Sequence, residues 1–337
     1  MRLQALDSLL EPILAACRPV PVERRMPAEA LGMVLASAVR TGQPVPLRAV
    51  ALRDGFAMRA ADLVGASPSS PVIVSAMPHL VRAGEALPSG CDCVLDPDLA
   101  VAIDPYVEII ESMAPGSHVR LPGHDLAAGE VFAPAGGQVD AAFVLACRIA
   151  GVSEVEVRVP RVAVSLSDAD IAGWFEAMAR RLGCRVVGAD ASAALRFVDA
   201  AGAAPRLAIR PGDAGWVEVR NGELVVEVPG RFDGALGVFC LAALPVLARL
   251  FGASLREKLL PLSGKVASAI GIRDLVLLSM EDNVFVPLSV GDAPLRALIG
   301  ASHFLAVPPE QEGVDAGAAV GAISLASPFE FGPMPQE

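Results

Sequence analysis

At 337 residues the chain is long enough for several domains, each with its own core. A net charge of −11 argues against a broad nucleic-acid footprint and leaves room for a small local anion site. Although 53% of the residues are apolar, no uninterrupted apolar run approaches the roughly 18 residues of a membrane span, and Asp7 and Glu11 stand where a signal peptide needs its apolar core.

Taken in order, Leu3, Leu6, Leu9, Leu10, Ile13 and Leu14 form a helical stripe over residues 3–17. Leu31, Val34, Leu35 and Ala38 predict a second helix from Ala28 to Val39, ended by the rigid turn Thr41-Gly-Gln-Pro-Val-Pro46. From Val50 to Asp125 short apolar runs cut by Gly and Pro read as strands. Residues 139–150 predict a helix stopped by Gly151, and residues 152–159 a strand.

The segment from Arg161 reads as an α/β ligand domain. A buried-type strand runs into Ser167-Asp-Ala-Asp170; a helix over Trp174–Leu182 and a strand over residues 185–188 follow. Ala189 to Ala204 is expected as a short Ala-rich helix. Two Pro-Gly turns lead to a long apolar helix stopped by Gly252, which Pro245 and Arg249 mark as buried rather than membrane-spanning. Residues 256–337 return to strand texture, with one helix from Pro294 to Ile299 and a Pro-rich tail expected to fray after Ser327. The six cysteines sit mostly in apolar surroundings, which suits free thiols in a reducing, cytoplasmic compartment. Cys91-Asp-Cys93 lacks the further soft ligands of a metal site.

Several residues could carry chemistry. Asp54 precedes Gly55, placing a carboxylate where a ligand or a hard cation could approach; an ordinary Asp-Gly hairpin turn is the alternative. Val81 to Gly90 could wrap a ligand or form a plain surface turn. Asp125 follows His124 in a polar turn. Asp168 and Asp170 lie just past a strand end, where they could orient a substrate or cap the next helix, Asp170 standing at the expected N-cap. Arg210-Pro-Gly212 and Pro229-Gly-Arg231 each set a guanidinium beside a glycine turn, able to receive an anion or simply solvated. No Ser/His/Asp triad, P-loop or Rossmann fingerprint is present.

Over nearly its whole length the chain resembles the molybdopterin molybdenumtransferase family, the MoeA and gephyrin E-domain type. Glu29 to Val39 is similar to the family's EALGRVLAEDV, and Leu52 to Asp62 to its SAMDGYAVRAAD segment. Ala83 to Val94 is similar to TGAPLPPGADAV, and Val119 to Asp125 to IRRRGED. Ala208 to Asp213 and Val228 to Phe232 are similar to IKPGKP and LPGNP, and Leu288 to Pro308 to the closing small domain.

The resemblance implies an α/β plus β fold with four parts: an N-terminal and linker domain over 1–45 and 126–159, a β-rich domain over 46–125, an α/β molybdopterin-binding type domain over 160–255, and a small C-terminal β-barrel-like domain over 256–330. It implies an elongated homodimer acting in molybdenum-cofactor biosynthesis. Adenylylated molybdopterin and molybdate meet in a cleft, Mg²⁺ assists, molybdenum enters the dithiolene and AMP leaves. Position by position, it implies catalytic roles for Asp54, Asp125 and Asp170, metal contacts from Asp54 and Asp170, and ligand contacts from Arg210, Gly212, Pro229, Gly230 and Arg231.

The departures are specific. Ala83 removes a hydroxyl, GED becomes Gly-His-Asp, the second Lys of KPGKP becomes Asp213, and LPGNPVSA becomes Val-Pro-Gly-Arg-Phe-Asp-Gly-Ala. The GGVSVGxxD loop, whose amides can cradle an anion, has no counterpart. A scaffold that binds without reacting, or a changed small-molecule activity on the same cleft, therefore stands beside the insertase reading.

Overall fold

The structure, a computed structural model, describes residues 3–202 and 205–330. It divides into two compact units. The smaller takes Val39–Ala133 with Leu145–Ser153, the larger takes the rest.

The smaller unit is built from short antiparallel sheets. In one, Gly55–Met58 lies between His79–Val81 and Cys93–Leu95; in another, Tyr106–Ile109 lies between Val72–Val74 and Ala100–Ile103. Leu63, Cys93, Leu95 and Ile109 are fully buried between them. Gly55 is not the tip of a hairpin. It starts a strand, and a Cβ there would lie 2.3 Å from the Leu95 carbonyl oxygen, so only glycine lets the two backbones approach.

In the larger unit α1 (Leu6–Ala16) buries Leu6, Leu10 and Ile13, the stripe expected from their spacing. The helix expected from Ala28 to Val39 is absent. Turns lead through Gly32, at φ +81°, into the strand Val34–Leu35, which pairs with Val155–Arg158. Paired β-branched and Leu side chains buried on a sheet outweigh a helical spacing that spans only three turns. The chain passes to the smaller unit within α2 (Ala141–Ala150), which ends at Gly151, in the left-handed conformation as expected.

The ligand-type domain is a five-stranded sheet: β1 (Arg161–Ser165), β2 (Arg185–Val187), β3 (Leu195–Asp199), β4 (Trp216–Arg220) and β5 (Glu223–Val228). The spatial order is β2-β1-β3-β5-β4, parallel except for β4. A two-residue turn, Asn221-Gly222, joins β4 to β5 with both residues at positive φ, the geometry that matches strand twist. Between β1 and β2 runs α3 (Ala169–Arg181), longer at its start than the expected Trp174–Leu182. The Ala-rich helix expected over 189–204 is instead β3: Leu195 and Phe197 are buried and Arg196 and Val198 are half-buried, a period of two that alanine content masked.

Behind the sheet lies α4 (Phe232–Phe251), continuous through a π-helical turn at Phe239–Ala243 and closed by left-handed Gly252. It is long and apolar enough to cross a membrane, yet it is buried inside the larger unit. Phe239 meets Phe175 and Trp174 edge-on, and Phe175 meets Phe197, so α3, α4 and β3 share one aromatic cluster.

The C-terminal sheet runs Ile209–Arg210, Arg273–Glu281, His303–Val307, Ala319–Ser324, Glu257–Pro261, with Val284–Val290 paired to Arg273–Glu281. One short helix, α5 (Leu295–Gly300), follows that hairpin. The tail expected to fray is paired at first: Phe329–Glu330 bonds to Ser254–Leu255. Residues 331–337 lie outside the described residues.

Candidate functional site

Parallel strands end together, so the loops leaving β1, β3 and β5 share one edge of the sheet, where open α/β sheets take ligands. After β1, Asp168 rather than Asp170 caps α3: its Oδ1 accepts the amides of Asp170 and Ile171, each at 3.0 Å. Asp170 sits in the first turn, exposed, a carboxylate at the favourable end of the helix dipole. Leaving β3, Asp199 accepts the Ser167 amide at 2.9 Å and so ties the first two loops together.

Beside them is a cavity of about 620 Å³. Short segments build it: Ala200, Gly202 and Arg206 after β3, Arg210 to Ala214, Pro229 to Arg231 with Asp233 and Gly234 after β5, and Gly291. All five residues expected to contact ligand, Arg210, Gly212, Pro229, Gly230 and Arg231, line it. Among its described residues the loop after β3 contributes Ala200, Gly202 and Arg206.

Close backbone packing holds the second segment against the third. A Cβ on Gly237 would lie 2.0 Å from the Pro211 carbonyl oxygen. Gly212 has φ +112°, and a Cβ there would meet the Gly234 carbonyl oxygen at 2.9 Å. The Arg-Pro-Gly-Asp turn therefore lies directly on the first turns of α4, and glycine is required on both sides.

Three guanidiniums face the cavity, each with its own carboxylate. Ile209–Arg210 adds as a parallel strand to the C-terminal sheet, with Arg210 in register with Asp274. The result is a bidentate pair, Nε to Oδ1 at 2.7 Å and Nη2 to Oδ2 at 2.6 Å, and the Ser268 hydroxyl donates to Oδ2 at 2.8 Å. Asp274 is 0% exposed while the Arg210 side chain is 47% exposed, so the carboxylate is the buried anchor and the guanidinium the accessible end. That hydrogen bond raises the Arg210 pKa further above its ordinary value.

Arg231 is far more open, 84% exposed, and pairs with Asp233 two residues on. Burial pushes the Asp233 carboxyl up, but the bonds from Arg231 and from the Gly234 amide outweigh it and hold the group below the usual range. The third pair, Arg206 with Asp213, joins two exposed side chains. Asp233 lies close enough in sequence to have been found beside Arg231. Asp274, 64 residues from Arg210, had no local signal.

In the smaller unit Asp54 is exposed and accepts the Ala83 amide at 2.8 Å, which links it to the Val81–Gly90 loop. Asp125 pairs with Arg120 at 3.2 Å, not with His124. Asp54 and Asp170, the expected metal ligands, belong to different units. Among the described residues no group of three or more His, Cys, Asp or Glu side chains could hold a metal. A Mg²⁺ ion held by one or two carboxylates and substrate phosphates needs no such group, and Asp54 and Asp170 are both exposed.

Residues 3–151 match the sequence family described as the MoeA N-terminal region, domains I and II. Molybdopterin molybdenumtransferase 2 of Mycobacterium tuberculosis is 28% identical over 134 residues, in two strains, covering 35% of this chain and 32% of each relative. The chain thus spans about a third of the length of the curated relatives it matches. A structure of the molybdopterin biosynthesis MoeA protein from Pyrococcus horikoshii superposes with a TM-score of 0.68 at 21% identity, over 96% of this chain and 99% of that one. A molybdenum cofactor biosynthesis protein from Pyrococcus furiosus gives 0.58 at 17%. Residues 3–151 thus resemble the MoeA N-terminal region, and the chain shares the fold of the MoeA structures over nearly all of its length.

The MoeA sequence match and the cavity fall on different stretches. Asp54 and Asp125 lie inside the matched residues, while Asp170 and every residue lining the cavity lie beyond them. There the MoeA likeness is one of fold.

Proposed function

We propose that this MoeA-type protein acts in molybdenum-cofactor biosynthesis, and that the cavity beside β3 and β5 takes the phosphate-bearing part of adenylylated molybdopterin. One observation carries the reading. Arg210, Gly212, Pro229, Gly230 and Arg231, drawn from two turns some 17 residues apart, line one cavity at the sheet edge. Arg210 is preorganised by Asp274 and Ser268, so its outward face is fixed before a ligand arrives. Arg231 is open enough to close over a bound anion.

On this reading molybdate is the second substrate, molybdenum enters the dithiolene and AMP is released. The work of these residues is to hold and orient the anionic bridge. Asp170, on the same edge two strands away, is placed to orient a substrate hydroxyl or amine. The protein acts in the cytoplasm as a homodimer, which the family resemblance supports and intact mass in solution tests.

The direct test offers purified protein adenylylated molybdopterin and molybdate, and measures AMP release and protein-bound pterin. Retained pterin with AMP release, both reduced at least about tenfold in Arg231→Ala, is the expected result. Absence of both pterin retention and AMP release would overturn the reading. Retention without release would instead favour a binding scaffold.

A further inference from the structure

The lining of the cavity balances its own charge. Arg206, Arg210 and Arg231 face Asp213 and Asp233, and Asp274 neutralises Arg210 from behind. A site built for a polyanion keeps uncompensated cations; this one keeps none. Two of the pairs are exposed, Arg206–Asp213 at 53% and 44% and Arg231–Asp233 at 84% and 20%, and exposed pairs exchange partners at little cost.

Asp213 stands out among these carboxylates. Asp274 is buried behind its arginine, and Asp233 is held by its own helix amide, at 2.9 Å from the Gly234 nitrogen. Asp213 has neither constraint on its carboxylate. Its backbone, by contrast, is fixed, since its carbonyl accepts the Leu207 amide at 2.7 Å. The backbone of Arg206 is fixed as well: its carbonyl accepts the Gln4 amide at 2.8 Å, and Ala208 donates to the Gln4 carbonyl at 2.8 Å. Backbone held at Arg206 and at Asp213 thus presents an exposed anion–cation pair at the cavity wall.

We propose that Asp213, with Arg206, sets the charge of ligand the cavity accepts: a phosphate bridge esterified at both ends, and not a nucleotide ending in a free phosphate. A capped bridge carries one negative charge on each phosphorus. A terminal phosphate adds a second ionisation near neutral pH. Arg206 and Arg231 can turn from their carboxylates to the bridge. The released Asp213 carboxylate then accepts a hydroxyl or amine donor of a capped ligand, but repels a terminal phosphate. Free nucleoside polyphosphates, which share the adenylate group, are turned away by this residue. The inference rests on the cavity reading above.

The test is equilibrium binding of diadenosine pyrophosphate, a capped bridge, and of ATP, followed by Trp174 fluorescence; Trp174 packs edge-on against Phe232 at the start of α4. Wild type is expected to bind the capped ligand more tightly than ATP. Asp213→Asn should tighten ATP at least about fourfold, the scale of one like charge removed at a partly exposed site, and change the capped ligand less. Arg206→Gln combined with Asp213→Asn should cancel that gain. If Asp213→Asn tightens both ligands equally or neither, while Arg231→Ala still weakens the capped ligand, the selectivity idea falls and the cavity reading stands. If no variant binds either ligand, both fall.

Discussion

The N-terminal residues and the α/β domain have kept different things. In the matched stretch, the Asp-Gly motif and the polar turn at Asp125 are easily recognised, and there the carboxylates bond to nearby partners, the Ala83 amide and Arg120. In the α/β domain no sequence match extends over the turns at Arg210–Asp213 and Pro229–Arg231, yet their residues meet around one cavity. Local turn chemistry preserves a recognisable string, whereas a site at a sheet edge is preserved by strand order and backbone packing. Its side chains can change as long as each new charge finds a partner, as Asp213 finds Arg206.

If the cavity depends on that framework, breaking the framework has the larger effect. Phe239→Ala empties the aromatic cluster between α3, α4 and β3 and is expected to cost about 4 kcal/mol in urea unfolding. A loss under 1 kcal/mol would show that the cluster does not hold the sheet edge. Gly237→Ala drives a methyl against the Pro211 carbonyl and should cost about 2–3 kcal/mol. It should also weaken binding of diadenosine pyrophosphate by displacing the Arg-Pro-Gly-Asp turn; unchanged binding would separate the turn from the site. In the smaller unit Asp54→Ala removes one hydrogen bond at an exposed position, for about 0.5–1 kcal/mol.

The smallest effect concerns pH. His303 is buried beside Phe285, with Ser302 on its Nδ1 at 2.8 Å; burial, and then the charge of Lys258, push its pKa below the ordinary value. Its neutral form is favoured in the fold, so its contribution is complete above the unfolded pKa and is lost as pH falls from there toward the folded pKa. The stability of wild type relative to His303→Gln should therefore decrease from pH 7.5 to pH 5.5. A constant difference would contradict the assignment.

Much of this architecture is legible in the chain because some signals are local. Leu6, Leu10 and Ile13 announce α1, an apolar run closed by Gly252 announces α4, and the Pro-Gly turns mark both walls of the cavity. What was hidden depends on partners far along the chain. Val34–Leu35 has helical spacing and becomes a strand because Val157 and Arg158 lie opposite. Leu195–Asp199 looks like part of an alanine-rich helix and becomes β3 because β1 and β5 flank it. The register that brings Asp274 to Arg210 belongs to a sheet, and no local pattern encodes it.

The account rests on the cavity being the anion site, and binding of diadenosine pyrophosphate to wild type and Arg231→Ala measures this most directly. Arg231 is exposed and buries nothing in the core, so its removal should leave the unfolding midpoint unchanged. The account predicts binding to wild type and at least about tenfold weaker binding to the variant. Equal affinity of the two proteins for diadenosine pyrophosphate, at equal stability, would contradict it.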